Sequence, residues 1–311
     1  MADSGQGGEL IPQPKFERGP WSRMQAELNQ EPKVRQDLIR NLEQIYKRNV
    51  ITFFTSFDSA RAFISNSDAE MIEEILHCCY TNRGILLILD SPGGDALAAE
   101  RIVNVCRSYA KNDFEVLVPH MAKSAATMIS FGASRIHMSA TSELGPVDPQ
   151  VAYFDDRNNP TLIAAAEYVR SFDSLMQTAI NAKEGQHIEP VLQQLARYDA
   201  RYIESLKSAL ALSEDISVKL LESGMMNGKN RDEIRKNIAP FLLQERTKSH
   251  GRMIPRAEAL DCGLKIESVD LQSECWKIVR ELAVRSRWLV QNRALKLLES
   301  AETSLSVGVP G

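Results

Sequence analysis

Two short segments hold the residues able to do chemistry. In Asp90-Ser91-Pro92-Gly93-Gly94-Asp95 a pair of glycines follows the continuously apolar run 85–89; in Ala122-Lys123-Ser124-Ala125-Ala126-Thr127 a serine stands among small residues, where the β-branched run 114–119 gives way to a helical pattern. Each is a strand-to-helix junction. Such junctions turn backbone N–H groups and one side chain into the crevice at the carboxyl end of a parallel sheet. A serine hydroxyl and glycine amides in that crevice are the parts needed for acyl transfer, in which the hydroxyl attacks a carbonyl carbon and N–H groups hold the oxyanion. Plainer roles stand beside this one. Gly93-Gly94 alone makes a tight turn, a serine among alanines allows close helix packing, and Asp95 is placed to cap the helix that follows.

The 311 residues, with 43% hydrophobic and 25% charged positions, suffice for one large α/β domain. A formal net charge of -4 gives no bulk attraction for nucleic acid, so no nucleic-acid partner is expected. The five cysteines (Cys78, Cys79, Cys106, Cys262, Cys275) have no CxxC spacing and read as buried, reduced thiols; the five histidines have no ligand spacing. No metal and no cofactor are therefore expected. The N-terminus lacks the apolar core of a signal peptide, and no run reaches the ~18 apolar residues of a membrane span. A cytoplasmic protein without a membrane span is the expectation.

The elements that must position the two segments follow from periodicity. A helix over 34–48 leads to a strand at 49–55, a helix capped within Ser67-Asp68-Ala69-Glu70, a strand at 85–89 and a helix over 96–109 that turns Leu97, Ile102, Val103 and Val105 inward. Then come a strand at 114–118, a helix at 125–131 and a strand at 135–138. This alternation predicts a parallel sheet wound with helices. Beyond it, 142–150 reads as a loop and turn and 155–160 as a polar surface loop. Helices are predicted at 162–182, 190–197, 200–212, 213–223, 232–243 and 255–262, the last ended by Gly263; a strand is predicted at 264–269, and one long amphipathic helix over 271–299 before a frayed tail. The organisation expected is an N-terminal tail and helical arm (1–48), a main domain (49–270), and a C-terminal helix and tail (271–311).

The segments 90–94 and 122–127, together with Gly132-Ala133-Ser134-Arg135-Ile136, resemble the Clp protease and signal peptide peptidase superfamily. The segment 251–260 with Gly263-Leu264 looks like that superfamily's closing helix. Lys123-Ser124-Ala125 and Lys248-Ser249-His250-Gly251 are most similar to its serine dehydrogenase proteinase branch. The resemblance covers roughly residues 49 to 270. It implies a Clp/crotonase-like ββα-repeat α/β fold with helical N- and C-terminal extensions, serine endopeptidase chemistry on a peptide or protein substrate, and a homo-oligomer. Carried over by position, Ser124 matches the nucleophile, and the amides of Gly93 or Gly94 and of Ala125 match the oxyanion hole.

The base departs from the best-known pattern. The position that holds histidine in Clp proteases falls at Pro149, beside Asp148. The 142–150 segment looks instead like the signal peptide peptidase version, which uses a lysine, and a lysine serves as base only where burial lowers its pKa. No lysine lies between Ser124 and Lys183. Lys183 is thus the first candidate, Lys207 the second and His250 the third; Lys123 is set aside because neighbouring side chains on a turn diverge. His120 reads as a hydrogen-bonded rim residue, and His77 and His137 as structural. Two further readings stand: a catalytically inactive scaffold or peptide-binding module on the same fold, and an acyl-CoA enzyme, which leaves Ser124 without work.

Overall fold

The computed structural model describes residues 32–79, 83–111, 113–154, 160–183, 187–242 and 252–308. Its spine is the β-α alternation. After α1 (Lys33–Tyr46) come β1 (Asn49–Thr55), α2 (Asn66–His77), β2 (Ile85–Asp90), α3 (Ala96–Ala110), β3 (Phe114–Val118), the short β4 (Met121–Ala122), α4 (Ala125–Phe131) and β5 (Ile136–Met138). β1, β2, β3 and β5 run parallel and adjacent, with Asn49 opposite Ile85 and Ile85 opposite Phe114. Both faces of these strands are covered, so their sequences are apolar almost without interruption.

The second half decorates this sheet. β6 (Glu143–Leu144) pairs with β4; β7 (Gln150–Phe154) and β8 (Pro160–Ala164) form a hairpin; α5 (Ala165–Ile180), α6 (Glu189–Leu195), α7 (Ala200–Glu222), α8 (Arg231–Asn237) and α9 (Ala239–Leu242) follow. β9 (Ile254–Pro255) and α10 (Arg256–Asp261) lead to β10 (Ile266–Ser268), which extends the parallel sheet beyond β5; α11 (Glu274–Asn292) precedes the antiparallel pair β11 (Lys296–Glu299) and β12 (Ser304–Val307) beyond β1. The seven-stranded order is β10-β5-β3-β2-β1-β11-β12.

Strand alternation divides the core in two. Ile51, Phe53, Leu87, Leu89, Val116 and Val118 face α2, α3, α4 and α7, whereas Val50, Phe54, Leu86, Ile88 and Leu117 face α1 and α11 through Leu42, Trp276 and Leu282. Truncating a side chain as buried as Phe53 or Phe54 costs about 3–5 kcal/mol.

Several elements differ from expectation, each for a physical reason. The cap of α2 is Ser65, not Ser67, and Asp68 closes a capping box by accepting from the Ser65 N–H at 2.8 Å. Ile102 and Val103 are buried in α3 as expected, but Leu97 is 49% exposed, and Ala98, Ala99 and Cys106 join the inward positions. The helix expected over 162–182 begins only at Ala165, because residues 160–164 pair with β7. Ser213 does not cap a new helix: α7 runs through it, and its buried hydroxyl donates to Val147 O at 2.5 Å. The helix expected over 271–299 ends at Asn292, and Leu297 and Leu298 go into the sheet against β1 instead. The supposedly frayed tail is β12. Gly263, in contrast, ends α10 with φ 78, where the pattern put it. Of the thiols, Cys106 and Cys262 are buried and Cys78 is exposed.

Candidate active site

The two junctions meet at the carboxyl edge of the sheet and are laced together by backbone. Ser91 N–H donates to Met121 O at 3.1 Å, and Lys123 N–H to Ser91 O at 3.0 Å. The Ser91 hydroxyl is buried, lies 2.8 Å from Thr55 Oγ1 on β1, and accepts the Gly93 N–H at 3.1 Å. One polar side chain thereby fixes the start of the glycine turn and consumes the Gly93 amide.

Ser124 is the residue before α4 and has φ 50 and ψ -120. A non-glycine residue in that region costs on the order of 1–3 kcal/mol and persists only where its surroundings over-determine it. Here they do. The Ser124 N–H donates to Pro146 O at 3.1 Å, its carbonyl accepts from Met128 N–H at 3.1 Å, and Ala126 N–H donates to Lys123 O at 2.9 Å. A serine before a helix ordinarily caps it with its hydroxyl; Ser124 makes no such cap. Among the described residues no hydrogen bond claims its Oγ, and the residue is partly exposed.

The glycines are required by proximity. A Cβ on Gly93, which has φ 108, would lie 2.6 Å from Ser124 Cβ and 2.6 Å from Lys123 O. A Cβ on Gly94 would overlap the backbone of Ile64, which is bridged to this turn by Ile64 N–H to Gly93 O (2.8 Å) and Asp95 N–H to Ile64 O (2.9 Å). Those bonds bypass the Gly94 amide. The Ala125 amide is the first N–H of α4, without an acceptor one turn back in its own helix. Asp95 caps α3, accepting from Leu97 N–H at 2.8 Å.

Among the described residues, no base candidate is hydrogen-bonded to Ser124. The Lys123 ammonium points away, 2.5 Å from Glu143 Oε1 and 3.3 Å from Leu144 O, as divergence on a turn requires. Lys183 follows α5 and is exposed. Lys207 on α7 lies 3.4 Å from Glu204 and 4.0 Å from Asp173, with its side chain 42% exposed. His250 and the Lys248–Gly251 motif lie outside the described residues. His120 is at the rim, edge-on to Phe57, with Nδ1 3.6 Å from Asp90 Oδ1; His137 is structural, with Nε2 2.6 Å from Glu115 Oε2.

Contributors that spacing alone missed are Ile64, Ser91 and the 145–149 segment. The last carries both Pro146 and the wall of an open cavity of about 440 Å³, lined largely by Val147, Pro149, Val169, Leu210 and Leu242, with buried Asp148 beside them. The only sequence signal was the Gly145-Pro146 turn, which says nothing of what its carbonyl accepts. No described helix is long and apolar enough to cross a membrane.

Two uncharacterized proteins of Methanocaldococcus jannaschii are similar, one 34% identical over 105 residues (34% of this chain, 35% of that protein), the other 32% identical over 120 residues (39% and 40%). The chain thus spans well under half the length of these curated relatives. A solved structure of a mutant 1510-N membrane-bound stomatin-specific protease is similar at 18% identity and a TM-score of 0.39, covering 66% of this chain and 74% of that one. The family model described as ClpP-like SDH-type serine proteinase matches residues 20–195, more than half of the chain. With a Clp/crotonase-like α/β fold, this chain belongs to the ClpP-like SDH-type serine proteinase family.

Proposed function

We propose that this protein is a serine endopeptidase acting through an acyl-enzyme on Ser124. The observation that carries the reading is the strained, uncapped Ser124, with its hydroxyl uncommitted next to the Ala125 amide and against the Gly93-Gly94 turn. The hydroxyl adds to the scissile carbonyl carbon and loses its proton to the base. The two amides hold the oxyanion, the proton passes to the departing amine, and water then hydrolyses the ester. Gly93 serves by shape, since its own N–H goes to Ser91. The cavity beside Pro146 takes an apolar substrate side chain.

Lys183 is the proposed base, ahead of Lys207 and His250. A lysine needs desolvation for this work, and Lys183 is exposed in the single chain. Nearby in the chain, Ile180 is 66% and Leu192 48% exposed. Covering these apolar side chains with a second copy of the chain would help to desolvate Lys183, which joins the proposed homo-oligomer to the proposed dyad. The competing reading, an inactive peptide-binding module, is favoured by one observation: among the described residues no base touches Ser124 Oγ.

Reaction with a fluorophosphonate separates the two. The peptidase reading predicts an adduct on Ser124 that is absent in Ser124→Ala and much slower in Lys183→Ala. A folded wild type that forms no adduct would refute it, and undiminished labelling of Lys183→Ala would remove Lys183 as base.

A further inference from the structure

A buried ion pair stands behind the glycine turn. Lys296 Nζ on β11 lies 2.8 and 2.7 Å from the two carboxylate oxygens of Asp68 and 3.2 Å from Ser65 Oγ; the two charged side chains are only 6% and 0% exposed. Burying both charges costs several kcal/mol of desolvation per ion, and an apolar pair of like volume is often as stable. General stability alone is therefore a weak account of it.

Its position suggests a more specific one. Asp68 accepts from Ser65 N–H at 2.8 Å, so the ammonium holds both side chains of the α2 capping box. Ser65 follows Ile64, whose N–H and C=O clasp Gly93 O and Asp95 N–H on either side of Gly94. A second line reaches the same turn: Lys296 is the register partner of Thr55, whose hydroxyl meets Ser91 Oγ, the acceptor of the Gly93 N–H. The side chain of Lys296 thus holds one support of the turn and its backbone pairs with the start of the other, in a C-terminal strand beyond the family-matched residues 20–195.

We infer that Lys296 is a positioning residue: through Asp68 and Ser65 it clamps Ile64 against the 93–95 turn and so fixes the direction of the Gly94 amide. Its catalytic consequence rests on the reading of Gly94 as an oxyanion donor. The clamp itself does not.

The test uses the full chain with Lys296→Met, the double variant Lys296→Met/Asp68→Asn, which leaves no buried charge unpaired, and Lys296→Arg as rescue. Amide hydrogen exchange at Ile64 and Asp95 is followed beside Leu87 and Val116 in the central sheet. The clamp predicts at least about tenfold faster exchange at Ile64 and Asp95 in the double variant, with the sheet amides unchanged. It also predicts a fall of about tenfold or more in the maximal rate of Ser124 phosphonylation, with half-saturation within about twofold of wild type and Lys296→Arg within about threefold. Unchanged exchange at Ile64, or an equal rise at Leu87 and Val116, overturns the clamp. Selective exchange with an undiminished labelling rate leaves the clamp standing and overturns its catalytic consequence at Gly94. If wild type never labels while exchange changes selectively, the peptidase reading fails and the clamp stands.

Discussion

Replacing Ser124 by glycine should make the protein more stable as it removes the proposed nucleophile. Ser124 holds φ 50 and ψ -120, which for a residue bearing a Cβ costs on the order of 1–3 kcal/mol. Glycine adopts that conformation without the Cβ penalty. Against this, a glycine enlarges the unfolded ensemble and gives back about 0.4–1 kcal/mol. Alanine is the control: it removes the hydroxyl but keeps the Cβ and hence the strain. No helix cap is lost in either variant, because the Ser124 side chain makes none. The difference between Ser124→Gly and Ser124→Ala should accordingly be about 1 kcal/mol in favour of glycine. In urea this is a midpoint shift of about 0.3 M for an m-value near 3 kcal/mol/M. Equilibrium unfolding of both variants measures it, with fluorophosphonate labelling confirming that neither reacts. A glycine variant no more stable than the alanine variant would refute the claim that strain is stored at Ser124.

Gly93→Ala should lower Ser124 labelling by about 100-fold, since the new methyl displaces a reacting group held within an ångström, the built Cβ lying 2.6 Å from Ser124 Cβ; a near-normal labelling rate would show that the turn has room. Burial by itself would raise the Glu115 carboxyl, but its bond to His137 and the charges of His137, Arg48 and Arg135 outweigh burial and leave it below the ordinary carboxylate value. A carboxyl with a lowered folded-state pKa contributes stability above its unfolded value of about 4.3 and loses it as pH falls through the folded one. Urea midpoints should therefore drop below about pH 4 in wild type and drop less steeply in Glu115→Gln. Burial pushes the Cys106 thiol up to about 12; iodoacetamide at mildly alkaline pH should modify exposed Cys78 in the native protein and reach Cys106 only on unfolding, as peptide mass mapping will show.

The sheet was legible because its strands are buried on both faces and say so. β1 and β3 lie at 49–55 and 114–118 as their apolar, β-branched runs require, and the two glycine- and serine-bearing junctions fall at the sheet edge. What misled was local pattern overridden by distant partners. Lys296 to Glu299 continues a helical periodicity, yet Leu297 and Leu298 gain more by pairing with Phe54 and Phe53 of β1. Residues 162–164 likewise look helical until β7 is available to pair with them. Ser213 has the chemistry of a cap, but its hydroxyl found Val147 O across the fold. At the site, the Ser124 and Gly93 positions were readable from residue type. The use of the Gly93 amide by Ser91, the Pro146 carbonyl and the support from Ile64 were not, because each is a contact between segments far apart in the chain. Spacing did not single out the proposed base, because a lysine's fitness for that role depends on burial, which spacing does not encode.

The central claim is that a bond forms at Ser124 Oγ, and intact-mass analysis after incubation with an activated peptide ester tests it most directly. Quenching in acid should trap one acyl group per chain, which peptide mapping places on Ser124; the adduct should decay with time in wild type and never form in Ser124→Ala. An acyl group on another residue, or none on a folded wild-type protein, would contradict the account.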